Sequence, residues 1–205
     1  MEYQIKKNKL NLILVRHSLS TANVADEKNI PYSDIENDSN PRYDPLLAKI
    51  SELCNNTRDR LAKENITHVY CSPLRRTLQT CNHIISNRNV ILDDRLIEFG
   101  SKVDTKKHSN TYLKNIFIPT LKNNNRFDFK LTKEESYIPY TNHDNIKEFI
   151  KYLKLNHNSD DKILIVGHGW WIKQLFVIYN KAISLPKNCE MLDITINEDV
   201  LIQNN

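Results

Sequence analysis

Leu12-Ile-Leu-Val-Arg-His-Ser-Leu-Ser-Thr-Ala-Asn23 is the stretch on which the fold turns, because an unbroken apolar run delivers Arg16 and His17 straight into a polar turn. A run of Leu, Ile and Val without alternation suits a strand buried on both faces, and such strands belong to the middle of parallel sheets. Packing gives that strand no reason to end in a guanidinium beside an imidazole. In open α/β sheets the ligand sits beyond the carboxyl ends of the strands, so this exit is the first place to expect chemistry. Taken alone, the stretch is better explained as an ordinary strand exit with two solvated polar residues; three later stretches reverse that balance.

Working outward, the 205 residues suffice for one domain spanning 1–205, and at this size about 70% of the unfolded surface is buried on folding. Cys54, Cys71, Cys81 and Cys189 form no C-x-x-C pair and have no histidines at zinc spacing beside them, so reduced thiols are expected. Residues 1–9 are mostly polar, and the apolar run that follows is too brief for a signal core or a membrane span. The chain reads as soluble and cytoplasmic, with no membrane association. A net charge of +4 in an Asn- and Lys-rich chain is no argument for nucleic-acid binding. Glycine is more informative: only Gly100, Gly167 and Gly169 occur, and they flank Glu98 and His168.

Residues 10–15 are expected to form the first strand, and acidic residues 25–44, with Pro31 and Pro41, a loop. From Asp44-Pro45, apolar positions Leu46, Ile50, Leu53 and Leu61 with Thr57 predict a helix of about four turns. Residues 67–71 and 90–92 read as strands, and Leu74, Leu78, Cys81 and Ile85 as a helical stripe whose first turn carries Arg75 and Arg76. Residues 102–133 hold eight Lys or Arg against Asp104 and Asp128 with little periodicity. They read as the body of a basic insertion, at about 101–141, folding over one end of the sheet. Ile146, Phe149, Ile150 and Leu153 mark another helix, capped by Asn142 or Asp144, and 162–166 a strand that Gly167-His168-Gly169 interrupts. Residues 170–179 are apolar nearly all round, which predicts a buried helix, with Trp170, Trp171 and Cys71 all in the core. Residues 191–196 and 200–202 read as a terminal hairpin. Strands alternating with helices give a three-layer α/β/α sandwich around a mainly parallel central sheet.

Arg16-His17, the segment from Ser72 to Arg76, and Gly167-His168-Gly169 all fall at strand-to-helix junctions, which a parallel sheet opens at one edge. With Glu98 added, that edge holds two imidazoles, guanidiniums and a carboxyl group. Planar Arg forks match phosphate oxygens, and helix N-termini add donors, so the chemistry is that of a phosphate site.

These motifs, Arg16-His17 with Ser20 and Asn23, Ser72-Pro-Leu-Arg-Arg-Thr-Leu-Gln-Thr80, Leu96-Ile-Glu98 and Val166-Gly-His-Gly169, resemble in order those of the histidine phosphatase superfamily, in its phosphoglycerate mutase-like branch. Asp44-Pro45-Leu46-Leu47 also resembles that family's helix-opening motif. The resemblance implies a phosphoglycerate mutase-like fold. It makes His17 the nucleophile that accepts a phosphoryl group, and Arg16, Arg76 and His168 the clamp on its oxygens. It makes Glu98 the proton donor, with Asp93 and Asp94 as competitors, and Asn23, Ser20 and Gly169 part of the substrate-binding surface. Arg76, four residues after Ser72, matches the family arginine, and Arg75 is expected to be exposed. The remaining histidines, His68, His83, His108, His143 and His157, are expected to fill ordinary polar roles.

The sequence departs from the pattern at Ser18, where the family usually has Gly, at Ala22, where an aromatic is frequent, and at Gly100, which follows Glu98 closely. Gly169 in place of Asp argues against the acid phosphatase and phytase branch. The expected activity is a metal-independent phosphatase, with no cofactor, acting on a phosphorylated small molecule or phosphoprotein. A phosphoglycerate mutase-type phosphotransferase is the alternative, and an inactive phosphate-binding module a third. Oligomeric state is not legible.

Overall fold

Alternation along β1 (Tyr3–Arg16) sets the two faces of the molecule. Leu10, Leu12 and Leu14 enter one buried cluster, and Ile13 and Val15 the other, since successive strand side chains point to opposite faces. The structure is a computed structural model that describes residues 3–28, 46–98, 107–123, 125–134 and 143–203. β2 (His68–Cys71), β3 (Asn89–Asp93), β4 (Arg126–Leu131), β5 (Lys162–Gly167) and β6 (Met191–Gln203) complete a six-stranded sheet of order β4-β3-β2-β5-β1-β6. Every neighbouring pair is parallel except β1 and β6.

Among the described residues the helices of eight or more residues are α1 (Thr21–Lys28), α2 (Glu52–Leu61), α3 (Arg75–Ile84), α4 (His143–Asn156) and α5 (Gly169–Ile178). Cys54 and Leu61 of α2 and Leu78, Cys81 and Ile84 of α3 pack on the face carrying Ile13, Val15, Val69 and Val166. Ile146, Phe149, Ile150 and Leu153 of α4 and Trp171, Ile172 and Leu175 of α5 cover the face carrying Leu12, Leu14, Tyr70 and Ile165. The result is the three-layer α/β/α sandwich with a mainly parallel sheet. No helix of the described residues is long and apolar enough to cross a membrane.

Local readings needed correction where long-range pairing overrode the pattern. Residues 25–28 are helical, not loop, and residues 29–45, with Asp44 and Pro45, lie outside the described residues. The helix expected from 44 onward begins only at Glu52, because the backbone before it is committed elsewhere. Leu47 bridges Ser20, its N–H donates to Gln79 Oε1 at 2.9 Å, and Ala48 N donates to Leu19 O at 2.9 Å. Ser51 then caps α2, its hydroxyl accepting from Cys54 N at 3.3 Å. Ser51→Ala should lower the unfolding free energy by about 1 kcal/mol, read as a lower urea midpoint at unchanged slope.

The expected terminal hairpin is one strand, β6, paired along its length with β1 from Tyr3↔Gln203 to Val15↔Met191. That long partner also extends β1 through the polar residues before Leu10. The basic insertion contributes β4 to the sheet, parallel to β3. Arg-Phe-Asp-Phe-Lys-Leu alternates as an edge strand should, with Phe127 and Phe129 against the core. Three short helical pieces precede it, Asn110–Tyr112, Leu113–Phe117 and Ile118–Thr120. α5 is buried on one side only: Trp171 is fully buried, whereas Trp170 and Val177 are about half exposed.

Candidate active site

Three strands end side by side and hand their next residues to one edge. Arg16 is level with Gly167, and Cys71 with Val166. The ladder continues past them, with His17 N donating to Gly167 O at 2.9 Å and Ser72 N to Val166 O at 3.0 Å. Because β5 lies between β1 and β2, the three exits place His17, His168 and Ser72 together, at the carboxyl end where ligands bind in such sheets.

The His17 and His168 rings meet edge to face with centroids 5.3 Å apart, and both are buried. His17 Nδ1 lies 2.7 Å from Ser18 O. A carbonyl only accepts, so Nδ1 carries the proton and Nε2 keeps the lone pair. Arg76 Nε donates toward that Nε2 across 3.4 Å. Burial first, then Arg76 and Arg16, push the His17 pKa well below its ordinary 6.5, which keeps the ring neutral. His168 is pushed down in the same way by burial, Arg76, His17 and Arg16. Its Nε2 is 2.9 Å from Ser72 Oγ, and its Nδ1 faces Glu98 Oε2 at 3.6 Å.

Arg16 is held by a bond from Nη1 to Pro186 O at 2.7 Å. A Cβ at Gly169 would stand 3.1 Å from Arg16 Nε, so glycine there makes room for the guanidinium. Gly167 meets no such crowding, as a Cβ there would enter open space. Gly100 lies outside the described residues. Arg16 Nε and His168 Nδ1 are buried and form no hydrogen bond among the described residues. A fold that leaves such groups beside two guanidiniums is suited to an anion that accepts from them.

Glu98 is the carboxyl group brought to the histidines, whereas Asp93 and Asp94 are engaged elsewhere. Arg95 grips Asp93 with Nε to Oδ1 at 2.9 Å and Nη2 to Oδ2 at 2.5 Å. Asp94 faces the buried Lys107 ammonium at 3.3 Å and accepts from Lys133 N at 2.7 Å. Arg75, expected at the surface, is buried with its guanidinium 5.8 Å from the centroid of Phe117, on the insertion.

Asn23 and Ser20 brace the turn after His17. Asn23 Oδ1 accepts from Ser20 N at 3.2 Å, Ser20 Oγ at 3.1 Å and Asn188 Nδ2 at 3.1 Å. Ser18 uses its hydroxyl, donating to Lys49 O at 2.9 Å and accepting from Ser51 N at 3.3 Å. Its own N–H donates to Thr80 Oγ1 at 2.9 Å. Sequence reasoning passed over Asn188, whose Nδ2 also donates to His17 O at 3.0 Å. An asparagine in a distant turn carries no local signal of that role.

His17, Glu98 and His168 also present one donor atom each within 4.8 Å of one another, as a metal site does. The guanidiniums of Arg16 and Arg76 act on both rings and make the setting cationic, which favours an anion over a metal ion. A separate cavity of about 570 Å³, lined by Arg58, Glu64, His83 and Arg88 among others, contains none of these residues.

Both imidazoles have depressed pKa values, so below about 6.5 the unfolded chain binds protons that the folded one does not. The stability they contribute is present above that pH and is lost as pH falls below it. The thermal midpoint should drop through this window, and less steeply in His17→Gln.

A family model described as "Histidine phosphatase superfamily (branch 1)" matches residues 12–195. No curated protein sequence matches the chain. Among solved structures, phosphoglycerate mutase from Bacillus anthracis aligns with a TM-score of 0.61 at 16% identity, covering 97% of this chain and 92% of that one. Phosphoserine phosphatase from Entamoeba histolytica, in complex with 3-phosphoglyceric acid, aligns with a TM-score of 0.54 at 19% identity, covering 95% of each chain. A mycobacterial glucosyl-3-phosphoglycerate phosphatase aligns with a TM-score of 0.50 at 13% identity, covering 91% of this chain and 90% of that one. At these identities the three show the fold.

Proposed function

Since the chain belongs to the histidine phosphatase superfamily, we propose that it is a phosphatase hydrolysing a phosphate monoester through a phosphohistidine on His17, without metal or cofactor. The observation that carries this reading is the state of His17: a neutral ring with its proton fixed on Nδ1 and its Nε2 lone pair set against Arg76. A site that only held phosphate would gain nothing from so prepared a nucleophile.

In the first step the Nε2 lone pair bonds to phosphorus while the bond from phosphorus to the ester oxygen breaks. Glu98 gives its proton to the departing alcohol. Charge on the three equatorial oxygens is met by Arg16, Arg76 and His168, donors already in place before reaction. Ser72 Oγ, 2.9 Å from His168 Nε2, supports that role in the tautomer where the hydroxyl donates and the proton stays on Nδ1. In the second step the Glu98 carboxylate takes a proton from water, whose oxygen attacks phosphorus and releases His17 and inorganic phosphate. The substrate is a phosphorylated small molecule or phosphoprotein.

A panel of phosphate esters tests the reading. One inorganic phosphate released per ester consumed, with no need for a bisphosphorylated primer and no loss in EDTA, is the expected result. Strict dependence on such a primer identifies a mutase instead, and no turnover on any ester identifies a binding module.

A further inference from the structure

At the opposite edge of the sheet, where β2 and β5 begin, two histidines and an aspartate converge. His68 opens β2, Asp161 precedes β5, and His157 follows the last turn of α4. Each offers a donor atom within 4.8 Å of the other two. Asp161 Oδ1 lies 3.6 Å from His68 Nδ1, and its Oδ2 lies 3.7 Å from His157 Nδ1. Both separations exceed hydrogen-bond range, and the 3.0 Å contact from His68 Nδ1 to Thr67 Oγ1 is the one a bound ion replaces. The two separations match the spacing of about 3.4 Å between two ligand atoms held at about 2.1 Å by a tetrahedral ion.

The surroundings fit the same purpose. Tyr70 Oη lies 2.8 Å from His157 Nε2, the outer oxygen contact that fixes the tautomer and plane of a metal-binding imidazole. In the tautomer whose Nε2–H donates to Tyr70, the His157 Nδ1 lone pair is set toward the carboxylate. Asn158 N–H donates to Asp161 Oδ2 at 2.8 Å and so orients the carboxylate. His157 is buried, while the His68 side chain is 39% exposed, which gives an ion a path from solvent and leaves room for water as a fourth ligand.

We propose that His68, His157 and Asp161 form a divalent transition-metal site of the zinc type at the amino-terminal edge of the sheet. Two imidazoles and one carboxylate suit Zn²⁺, whereas Mg²⁺ and Ca²⁺ take oxygen ligands throughout. The ion ties the start of β2 to the turn between α4 and β5. It stands at the other end of β2 from Ser72, so it serves stability and not phosphoryl transfer.

ZnCl₂ titrated calorimetrically into the full chain tests this, with thermal unfolding followed in parallel. One equivalent should bind in the parent and in His17→Ala, and its affinity should fall at least tenfold in His68→Ala, His68→Gln and Asp161→Asn. Zn²⁺ should raise the parent midpoint by several degrees, with no shift from Mg²⁺, and should leave the midpoints of the His68 and Asp161 variants unmoved. Far-UV circular dichroism should show the parental fold in each, and ester turnover of His68→Ala should be unchanged. Parental Zn²⁺ affinity in the His68 and Asp161 variants, or no Zn²⁺ bound by the parent at micromolar concentration, overturns the proposal in favour of a plain ion-pair network.

Discussion

His17→Ala should lose phosphate-ester turnover by about ten-thousandfold or more, the scale seen when a covalent nucleophile is deleted. The variant should still bind inorganic phosphate, because Arg16 and His168 are positioned by other contacts. Arg16 is fixed through Pro186, and His168 sits 2.9 Å from Ser72 Oγ. The pairing of lost turnover with retained binding separates a nucleophile from a structural histidine. A titration of phosphate against the thermal midpoint supplies the binding half, and a steady-state assay the other. Residual turnover within tenfold of the parent would move the chemistry to another group.

Glu98→Gln should cost about a hundredfold to ten-thousandfold on alkyl phosphates, with a smaller loss in the first step on aryl phosphates. A nitrophenolate departs without a proton, so its phosphoryl transfer does not need the Glu98 acid. Water attack on the phosphohistidine still needs the Glu98 base. The variant should therefore accumulate phosphoenzyme when given an aryl ester, with a burst of phenolate ahead of a slow steady state. An equal loss in the burst on both ester classes contradicts the assignment. Asp93 and Asp94 are poor substitutes in this role, being held by Arg95 and by Lys107 with Lys133 N–H.

Much of this site was legible in the sequence because it is assembled by strand register. With residues 10–15, 67–71 and 162–166 read as parallel strands, His17, Ser72 and His168 have to leave at one edge. Arg75 was misplaced for a physical reason: it is buried against Phe117, a residue of the insertion whose docking no local pattern announces. The helix expected from 44 starts later because the backbone at 47–49 bonds to Gln79 and to the turn after His17. β4 had a visible alternation that its high charge concealed. Asn188 and the cluster at His68 lay out of reach, since each depends on residues far apart in the chain that only the closed sheet brings together.

The role of Ser18 also became clearer. A hydroxyl at that position reads as a departure from a more permissive turn. In the fold it joins the turn to the backbone at Lys49 and Ser51, while the Ser18 carbonyl fixes the tautomer of His17. Ser18 thus helps to set the state of the His17 ring.

The claim at the centre is that His17 itself carries the phosphoryl group. Rapid quench in alkali of the full chain mixed with a radiolabelled phosphate ester, followed by peptide mapping, tests it most directly. Alkali-stable, acid-labile label is expected on the peptide containing His17, formed before phosphate is released and absent from His17→Ala. Turnover with no labelled histidine at any quench time, or label on another residue, would contradict it.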